Sequence, residues 1–478
     1  MQFVLPLLYS AVFILIIYKI KFFALDSLSR NGFALLFAIK LLAALVVCFV
    51  YTYHYALSDY NTYFADSKVF AEQLFGSHPK THMSVWNSEF EHVLFNNSKV
   101  IIVINALLLI FSFGNLYVHI VFFCFFSFAG LTALYHAFVF YFPGKSKQLI
   151  FSIFLVPTIL FWSSAALKES LVIAVVGLIV YISMFGLKQK YSIKEMLVLL
   201  ALILFLIFIK IFVAAALLPV LLANGIIAKT SVRYSAIKYV GVFALLIILL
   251  IGVKLIHPDY NVLQLLADRQ AKAISEAKGG VFLVNDKNFI CVEYNDKERV
   301  LEMKPDSTYR IRAGSNYLSW KLDNMKDTSF ITNSSDTAVY RFYYSVVPAK
   351  TVLNVERLQP EVMMFLKHAP LAVFNVLFQP TIFGIKSWLH LAVAIENMWI
   401  LVFILLAIFF VDREVIKNKS ILFFCLVFSI VVFAIIGFTT PVVGSMIRYR
   451  TIGLLFLIPI LLLLVDEDKL RKRLFRKN

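Results

Sequence analysis

The chain has 478 residues, of which 61% are hydrophobic and 15% are charged. This composition excludes an ordinary soluble domain, because a soluble fold could not bury so much apolar surface. The net charge is +17, but the Lys and Arg residues form short clusters between apolar runs. That distribution is typical of membrane topology signals and argues against a nucleic-acid partner.

Apolar runs of membrane-spanning length recur along most of the chain. The first, residues 3–18, lacks both a basic leader and a small-residue cleavage site, so we expect a retained helix. Further candidates fall near 33–55, 98–114, 117–141, 149–165, 169–186, 196–210, 212–228, 239–256, 390–411, 420–437 and 450–465. The pattern predicts an α-helical polytopic membrane protein with about 11–13 transmembrane helices.

Basic loops predict how these helices are oriented. Basic clusters occur at 19–30, 145–147, 188–194, 229–238, 413–419 and in the tail, 469–477. The positive-inside rule makes all of them cytoplasmic. Two crossings within 98–142 would put the 145–147 cluster outside. We therefore expect either a third short or re-entrant helix there, with a break near Gly130, or a loop that violates the charge rule.

The chain divides into four parts by composition. Residues 1–256 form an N-terminal transmembrane bundle with a first outer loop at 57–97. Residues 257–368 are polar and mixed, which predicts a small α+β domain outside the membrane. Residues 369–389 are apolar but contain two prolines, which favours an interfacial or re-entrant segment. Residues 390–478 hold the C-terminal transmembrane helices and the basic cytoplasmic tail.

The polar segment has its own secondary-structure pattern. Its charged start, Asp268–Lys278, predicts a helix, and the alternating runs 281–284, 289–294 and 339–344 predict strands. In the apolar segment that follows, Pro370, Pro380 and Gly384 are the residues that interrupt a clean span.

Two aspartates follow the second apolar run. Asp59 lies at the bilayer edge, and Asp66 comes seven residues later in a Tyr-rich loop that includes Tyr63. A carboxylate here could act as a general base toward a polar substrate; alternatively, it caps an interfacial helix that begins there. The loop also contains His78, His82 and His92. Their uneven spacing lacks a metal-ligand pattern, so we predict no metal site.

Charged residues also occur inside or at the ends of apolar runs. They are Lys168, Glu169, Lys210, Glu396, Arg448 and Arg450. Such residues usually face a bundle interior or a watery cavity, where they pair with one another or with a ligand. We therefore expect the six to converge on one outward-opening cavity, although Lys168 and Glu169 could equally form a helix-end ion pair.

Arg448 and Arg450 give the most specific of these signals. Two arginines at an outer membrane boundary contradict the positive-inside rule, and their guanidinium donors suit bidentate phosphate binding. The competing interpretation is that both side chains extend to lipid headgroups.

Together these features resemble the polytopic GT-C-type glycosyltransferases. The resemblance rests on the acidic loop after an early span, on Pro157–Ser164 leading to Lys168 and Glu169, and on Gly444–Arg450 before the last span. It covers the membrane part, residues 33–255 and 390–465. Members of that superfamily transfer sugars from polyprenyl-phosphate-linked donors.

The resemblance implies roles for individual residues. Asp59, with Asp66 as its competitor, would be the catalytic base, and Glu169 would belong to the same catalytic group. The remaining candidates would bind substrate, with the basic residues on the lipid phosphate: Lys168, Lys210, Glu396, Arg448, Arg450 and Tyr63. The two loop aspartates are seven residues apart and do not form an Asp-x-Asp motif, so the resemblance implies neither a metal nor another cofactor.

The expected setting is a bacterial inner membrane with the active site facing the periplasm. The expected partners are membrane lipid, a polyprenyl-linked sugar donor, and a protein or glycan acceptor. A polysaccharide repeat-unit polymerase or ligase would use similar donors. A lipid or glycan flippase or transporter would explain the buried charges, but we see no internal repeat of fixed spacing. A non-catalytic subunit of an envelope complex would explain the outer domain as a docking module.

Overall fold

A computed structural model of the chain describes residues 3–24, 28–53, 59–75, 98–189, 191–230, 234–256, 261–321, 328–334, 338–385 and 387–474. It is mostly helical, at 76%, with a small sheet region. Within the described residues, seven helices are long and apolar enough to cross a membrane, and five more apolar helices are shorter. The polytopic helical class is thus supported, with seven long candidates where the sequence predicts 11–13.

The helices, in chain order, are α1 (Val4–Lys19), α2 (Arg30–Tyr53), α3 (Asp59–Phe75), α4 (Ser98–Ser112), α5 (Leu116–Tyr141), α6 (Ser146–Ile150), α7 (Pro157–Trp162), α8 (Lys168–Gln189), α9 (Ile193–Lys229), α10 (Ser235–Ile256), α11 (Val262–Ala277), α12 (Lys297–Val300), α13 (Val362–Phe378), α14 (Trp388–Phe409), α15 (Arg413–Lys417), α16 (Lys419–Thr439), α17 (Val443–Leu464) and α18 (Glu467–Leu474). The chain forms two compact units. Unit 1 comprises Met1–Ala244, Lys386–Val432 and Arg448–Asn478, and unit 2 comprises Leu245–Ile385 and Phe433–Ile447.

Helices α5 and α8 form a tightly packed pair in unit 1. A Cβ added to Gly177 would overlap the carbonyl oxygen of Gly130, so the two backbones touch and neither position accepts a side chain. Gly130 therefore lies in an unbroken helix, and the expected break near it is wrong. Ring contacts pair His136 with Tyr181 and Phe140 with Phe185, each 45 residues apart in sequence. This constant offset makes the two helices parallel.

Two parallel helices need a return crossing between them. Helical turns fill most of residues 146–162: α6 continues into a π-helical turn, Phe151–Leu155, and α7 follows after Val156. Pro157 is the first residue of α7, where its missing N–H costs no hydrogen bond. This segment brings the chain back to the end from which α5 and α8 begin.

Helix α4 does not cross unit 1. Its first residue, Ser98, accepts a hydrogen bond from Lys168 Nζ at the start of α8 (3.0 Å). Its last residue, Ser112, hydrogen-bonds His119 near the start of α5 (2.8 Å). Both ends of α4 therefore lie at one end of the unit, and the chain crosses once between residues 98 and 142. The predicted span at 98–114 is wrong, because this apolar run packs against α3 and α5.

The loops at the other end of unit 1, here called the basic end, contact one another. Lys145 Nζ lies 2.9 Å from Asp412 Oδ2, Gln148 donates to Glu467 Oε1 (2.6 Å), and Asn418 donates to the carbonyl of Tyr141 (2.9 Å). The clusters at 145–147, 413–419 and the described part of the tail thus share one end. A single crossing in 98–142 satisfies the charge rule, so neither a third helix nor a violating loop is needed.

Helix α9 contains both of the predicted spans at 196–210 and 212–228. It has 37 residues, and a capping box between Ser192 and Glu195 fixes its start. A straight helix of that length would extend about 55 Å, nearly twice the roughly 30 Å of a bilayer core. It is not straight, because Lys210 leaves helical geometry with φ −154° and ψ 77°.

Unit 2 contains a seven-stranded antiparallel sheet in the order β3-β4-β7-β1-β2-β5-β6. Its strands are β1 (Gly280–Val284), β2 (Asn288–Glu293), β3 (Leu301–Met303), β4 (Thr308–Ile311), β5 (Ser315–Lys321), β6 (Thr328–Ser334) and β7 (Val339–Val346). The three predicted alternating runs fall on β1, β2 and β7. Their inward side chains, including Leu283, Ile290 and Tyr340, form the sheet's core.

Helix α13, also in unit 2, covers the first half of residues 369–389, where the prolines favour an interfacial or re-entrant segment. Pro370 lies inside this 17-residue apolar helix rather than ending it. A Cβ on Gly437 would overlap the Ala372 carbonyl oxygen, so the helix packs closely against α16. Close packing of this kind stabilises a helix that has lost one backbone hydrogen bond at proline.

Candidate functional site

Five side chains meet at the end of unit 1 where α8 begins; we call them the Arg448 cluster. They are Asp59, Glu169, Lys210, Arg448 and Tyr449. Arg448 Nη2 lies 3.0 Å from Asp59 Oδ2, and its Nε lies 3.4 Å from Glu169 Oε1. Lys210 Nζ donates to the same Glu169 oxygen at 2.7 Å. Four helices, α3, α8, α9 and α17, thus each supply a charge to one site.

The start of α8 is set by a buried irregular turn, residues 163–167. Side chains from neighbouring elements hold it: Ser127 Oγ donates to the Ser163 carbonyl (2.6 Å), and Ser170 Oγ donates to the Ala165 carbonyl (2.5 Å). Lys40 Nζ donates to Ser163 Oγ, and Lys40 is only 1% exposed. Irregular backbone at membrane depth persists only where protein surrounds it. The turn therefore fixes where Glu169, in the first turn of α8, enters the cluster.

Lys40 is a charged residue that the sequence analysis missed. It lies inside the apolar run 33–55, and the rule that singled out Lys210 applies to it equally. Its ammonium lies at the C-terminal end of α7, where the helix dipole favours a cation. The sequence signal was present, but its partner, Ser163, is uncharged and could not be recognised by charge pairing.

The cluster changes from buried to exposed across its width. The side chains of Glu169 and Lys210 are 1% and 6% exposed, that of Arg448 is 16% exposed, and that of Asp59 is 48% exposed. The charged groups thus reach solvent through Asp59, and an incoming polar group would meet Asp59 and Arg448 first.

Positive charge exceeds negative charge at this site. Lys168 lies beside the cluster, where it donates to Ser98 and lies 5.3 Å from the centre of the Tyr63 ring. With Lys168, three cations face the two carboxylates of Asp59 and Glu169, which leaves one net positive charge. The apolar surroundings strengthen the attraction of this net charge for an anion, because few solvent dipoles screen it. The site is therefore electrostatically suited to an anion.

Aromatic rings line the charged groups. The Tyr449 ring lies 4.4 Å from Lys210 Nζ and 5.0 Å from the Arg448 guanidinium, and its hydroxyl hydrogen-bonds Arg448 at 3.2 Å. Tyr51 contacts Trp162 edge to face at 6.4 Å. Burial raises the pKa of Tyr63, so this phenol stays protonated and contributes a neutral hydrogen-bonding group.

Two buried polar atoms of the cluster have spare hydrogen-bonding capacity. Within the described residues, neither Glu169 Oε2 nor Arg448 Nε has a hydrogen-bond partner. Buried atoms of this kind are rare in folded proteins, and they often mark a place where a ligand or water binds. The unsatisfied guanidinium donor points to an acceptor-rich ligand.

The structure separates the two candidate aspartates. Asp59 and Asp66 lie seven residues apart on α3, so they share a helix face but are displaced by about 10 Å along its axis. Asp59 pairs with Arg448, whereas Asp66 is 4% exposed. Of the two, Asp59 is therefore the one that combines solvent access with the cluster.

Arg450 and Glu396 form a second, separate ion pair. Residues 448 and 450 lie about 200° apart around α17, so their side chains leave opposite faces. Arg450 is fully buried, with Nη2 3.7 Å from Glu396 Oε1. Glu396 Oε2 accepts the backbone N–H of Thr158 in the first turn of α7 (2.8 Å). The six charges expected in one cavity thus divide into two groups, with four at or beside the Arg448 cluster and two in this sealed pair.

Among the described residues, no group of three or more His, Cys, Asp and Glu side chains is arranged to hold a metal ion. The predicted loop histidines, His78, His82 and His92, lie outside the described residues, as does the whole segment 76–97.

Comparison with known proteins yields no relative. No protein-family model matches the chain, and neither the curated proteins nor the solved structures contain a significant match.

Proposed function

We propose that the chain is a GT-C-type membrane glycosyltransferase, which transfers a sugar or oligosaccharide from a polyprenyl-phosphate-linked donor to a protein or glycan acceptor. The observation that carries this proposal is the Arg448 cluster: a net positive site, partly open to solvent, in a bundle of apolar helices. A ligand that joins an anionic phosphate to a long apolar chain matches both the charge and its surroundings.

The donor phosphate would bind Arg448, Lys168 and Lys210. Arg448 shares its Nη2 between Asp59 and Tyr449. Phosphate oxygens would compete for that guanidinium and release Asp59 from its ion pair. Donor binding would therefore free the carboxylate that is needed as base.

The reaction would then proceed by displacement at the anomeric carbon. Asp59 takes the proton of the acceptor hydroxyl, whose oxygen bonds to that carbon while the bond from the carbon to the phosphate oxygen breaks. The polyprenyl phosphate leaves with the electron pair, and the three cations stabilise its developing charge. Glu169 contacts both Lys210 and Arg448 and offsets part of their positive charge before the donor binds.

Orientation is part of the same proposal. We assign the Arg448 cluster and residues 257–368 to the extracytoplasmic side of a bacterial inner membrane, and the basic end to the cytoplasm. The contacts among the basic loops support the part of this assignment that concerns unit 1, because they put its positive clusters together at the end remote from the Arg448 cluster.

The test is sugar transfer by the purified full chain in liposomes with labelled polyprenyl-phosphate-linked sugars. Asp59→Asn removes the base and preserves size, so turnover should fall about a hundredfold or more. Asp66→Asn is the matched control on the same helix face and should stay within a fewfold of the native rate. Arg448→Ala should lower turnover and also weaken donor binding, since a phosphate contact exists before and during reaction.

Several outcomes would contradict this assignment. If only Asp66→Asn lost transfer, the base would be Asp66 rather than Asp59. Full transfer in both aspartate variants would rule out the proposed mechanism. Polymerisation of a lipid-linked repeat unit by the native chain would identify the acceptor as a growing glycan, as in a polymerase. Movement of labelled lipid across the liposome without transfer would identify a flippase instead.

A further inference from the structure

A groove at the basic end of unit 1 lies between the starts of α10 and α16 and the end of α17. Its volume is about 510 Å³, within the roughly 300–1,000 Å³ typical of ligand sites. Its walls are apolar, with Phe423, Leu426, Leu457 and Leu461 among them, and Lys419 is its one lysine. The groove thus combines a long apolar surface with a single cation.

Lys419 differs from neighbouring lysines at this end. Lys145 pairs with Asp412 at 2.9 Å, and Lys417 pairs with Glu414 at 2.7 Å. Within the part of the chain that the structure describes, no acidic side chain pairs with Lys419. It is exposed, and it is the first residue of α16. A cation at a helix start opposes the helix dipole, and an anion bound there would be favourable to both.

The apolar walls continue to the outside of the bundle. Ile237 and Leu426 both line the groove and are 67% and 39% exposed, respectively. Exposed apolar side chains on the apolar helices of a membrane protein face acyl chains, so the groove opens toward lipid. The groove is also remote from the proposed donor site, since Arg448 and Leu461 are separated by about 20 Å along α17.

We propose that this groove binds one anionic phospholipid, with an acyl chain along Phe423, Leu426 and Leu461 and the headgroup phosphate at Lys419. The start of α10, at Ser235, adds a second helix N-terminus to the headgroup region. Charge complementarity selects the anionic headgroup, and the apolar walls select a lipid over a free phosphate. The proposal does not depend on glycosyl transfer.

The test is native mass spectrometry of the full chain, delipidated in detergent and titrated with phosphatidylglycerol or with phosphatidylcholine. The native chain should retain one phosphatidylglycerol more tightly than any phosphatidylcholine. Lys419→Gln should weaken that binding about fivefold, which is the effect of one lysine near an anionic lipid surface. Leu426→Trp, which fills the groove from an exposed position, should abolish it.

Two matched controls separate this site from general lipid binding. Lys147→Gln removes an exposed lysine at the same end, and Leu45→Trp enlarges an exposed apolar residue (62%) on α2. Both should bind phosphatidylglycerol as the native chain does. Equal binding of the two lipids, or native phosphatidylglycerol binding in Lys419→Gln and Leu426→Trp, would overturn the proposal. Free glycerol phosphate competing as well as the lipid would also overturn it, because the apolar walls would then contribute nothing.

Discussion

Two arginines two residues apart on α17 have opposite environments. Arg448 contacts two carboxylates and a tyrosine, in a site whose outer carboxylate is 48% exposed. Arg450 is fully buried and pairs with one carboxylate, Glu396. A charge within an apolar helix therefore identifies a polar interior but does not show whether that interior binds a ligand or joins helices. The open, unbalanced cluster can exchange its internal contacts for a ligand's, whereas the sealed, balanced pair joins helices.

The largest effect that we expect tests the sealed pair. Glu396→Ala removes the carboxylate that pairs with the buried Arg450 and the acceptor for Thr158 N–H, so the free energy of unfolding should fall by about 3–5 kcal/mol. The measurement is thermal or denaturant unfolding of the purified chain in detergent.

A double variant separates pairing from burial. Glu396→Met together with Arg450→Met replaces both charges by apolar side chains, so most of the lost stability should return, except for about 1–3 kcal/mol because the Thr158 N–H still lacks its acceptor. Sugar transfer should also return, because neither residue contacts substrate in our proposal. A double variant that stays folded but loses transfer would show that this pair belongs to the functional site.

A smaller effect tests the open cluster. Glu169→Gln preserves shape but raises the net charge of the site from one to two, so a short prenyl phosphate should bind about tenfold more tightly. That is a modest share of the roughly 4 kcal/mol between unit charges 4 Å apart near a protein surface. Isothermal titration measures it, and Glu396→Gln is the matched control, which should leave the affinity unchanged. Weaker binding in Glu169→Gln would mean that the glutamate positions the cations more than it competes for them.

The sequence predicted the polytopic helical class and the charged residues among apolar helices, because apolar run length and isolated charges are local signals. It could not predict that Arg448 and Arg450 separate, since that depends on which helices pack beside each face of α17. Gly130 was misread as a break, because the same residue type serves both flexibility and close helix contact. The span at 98–114 was wrong because an apolar run of 15–17 residues suits burial against α5 as well as it suits a bilayer.

The smallest effect that we expect concerns the contact that joins the loops of the basic end. Burial alone would raise the pKa of Asp412, but hydrogen bonds from Lys145 Nζ and from the backbone N–H of Glu414 outweigh it, so this pKa lies below its usual value of 3.8. A carboxyl with a lowered folded-state pKa stabilises the fold above its unfolded pKa, and that stabilisation disappears as the pH falls through the folded value.

Asp412→Asn should therefore lower stability at pH 7 by no more than about 1 kcal/mol, since the pair is partly exposed, and should lower it less as the pH falls below about 4. Unfolding temperatures of the native and variant chains between pH 7 and pH 3 measure the difference. Glu414→Gln is the matched control. The Glu414 side chain is 76% exposed, so its ion pair with Lys417 should contribute nothing measurable to stability. A difference for Asp412→Asn that stays constant with pH would attribute its effect to hydrogen-bond geometry rather than to charge. No destabilisation by Asp412→Asn at any pH would instead remove the contact between the loops at 142–148 and 410–418 as support for a single crossing between the Arg448 cluster and the basic end.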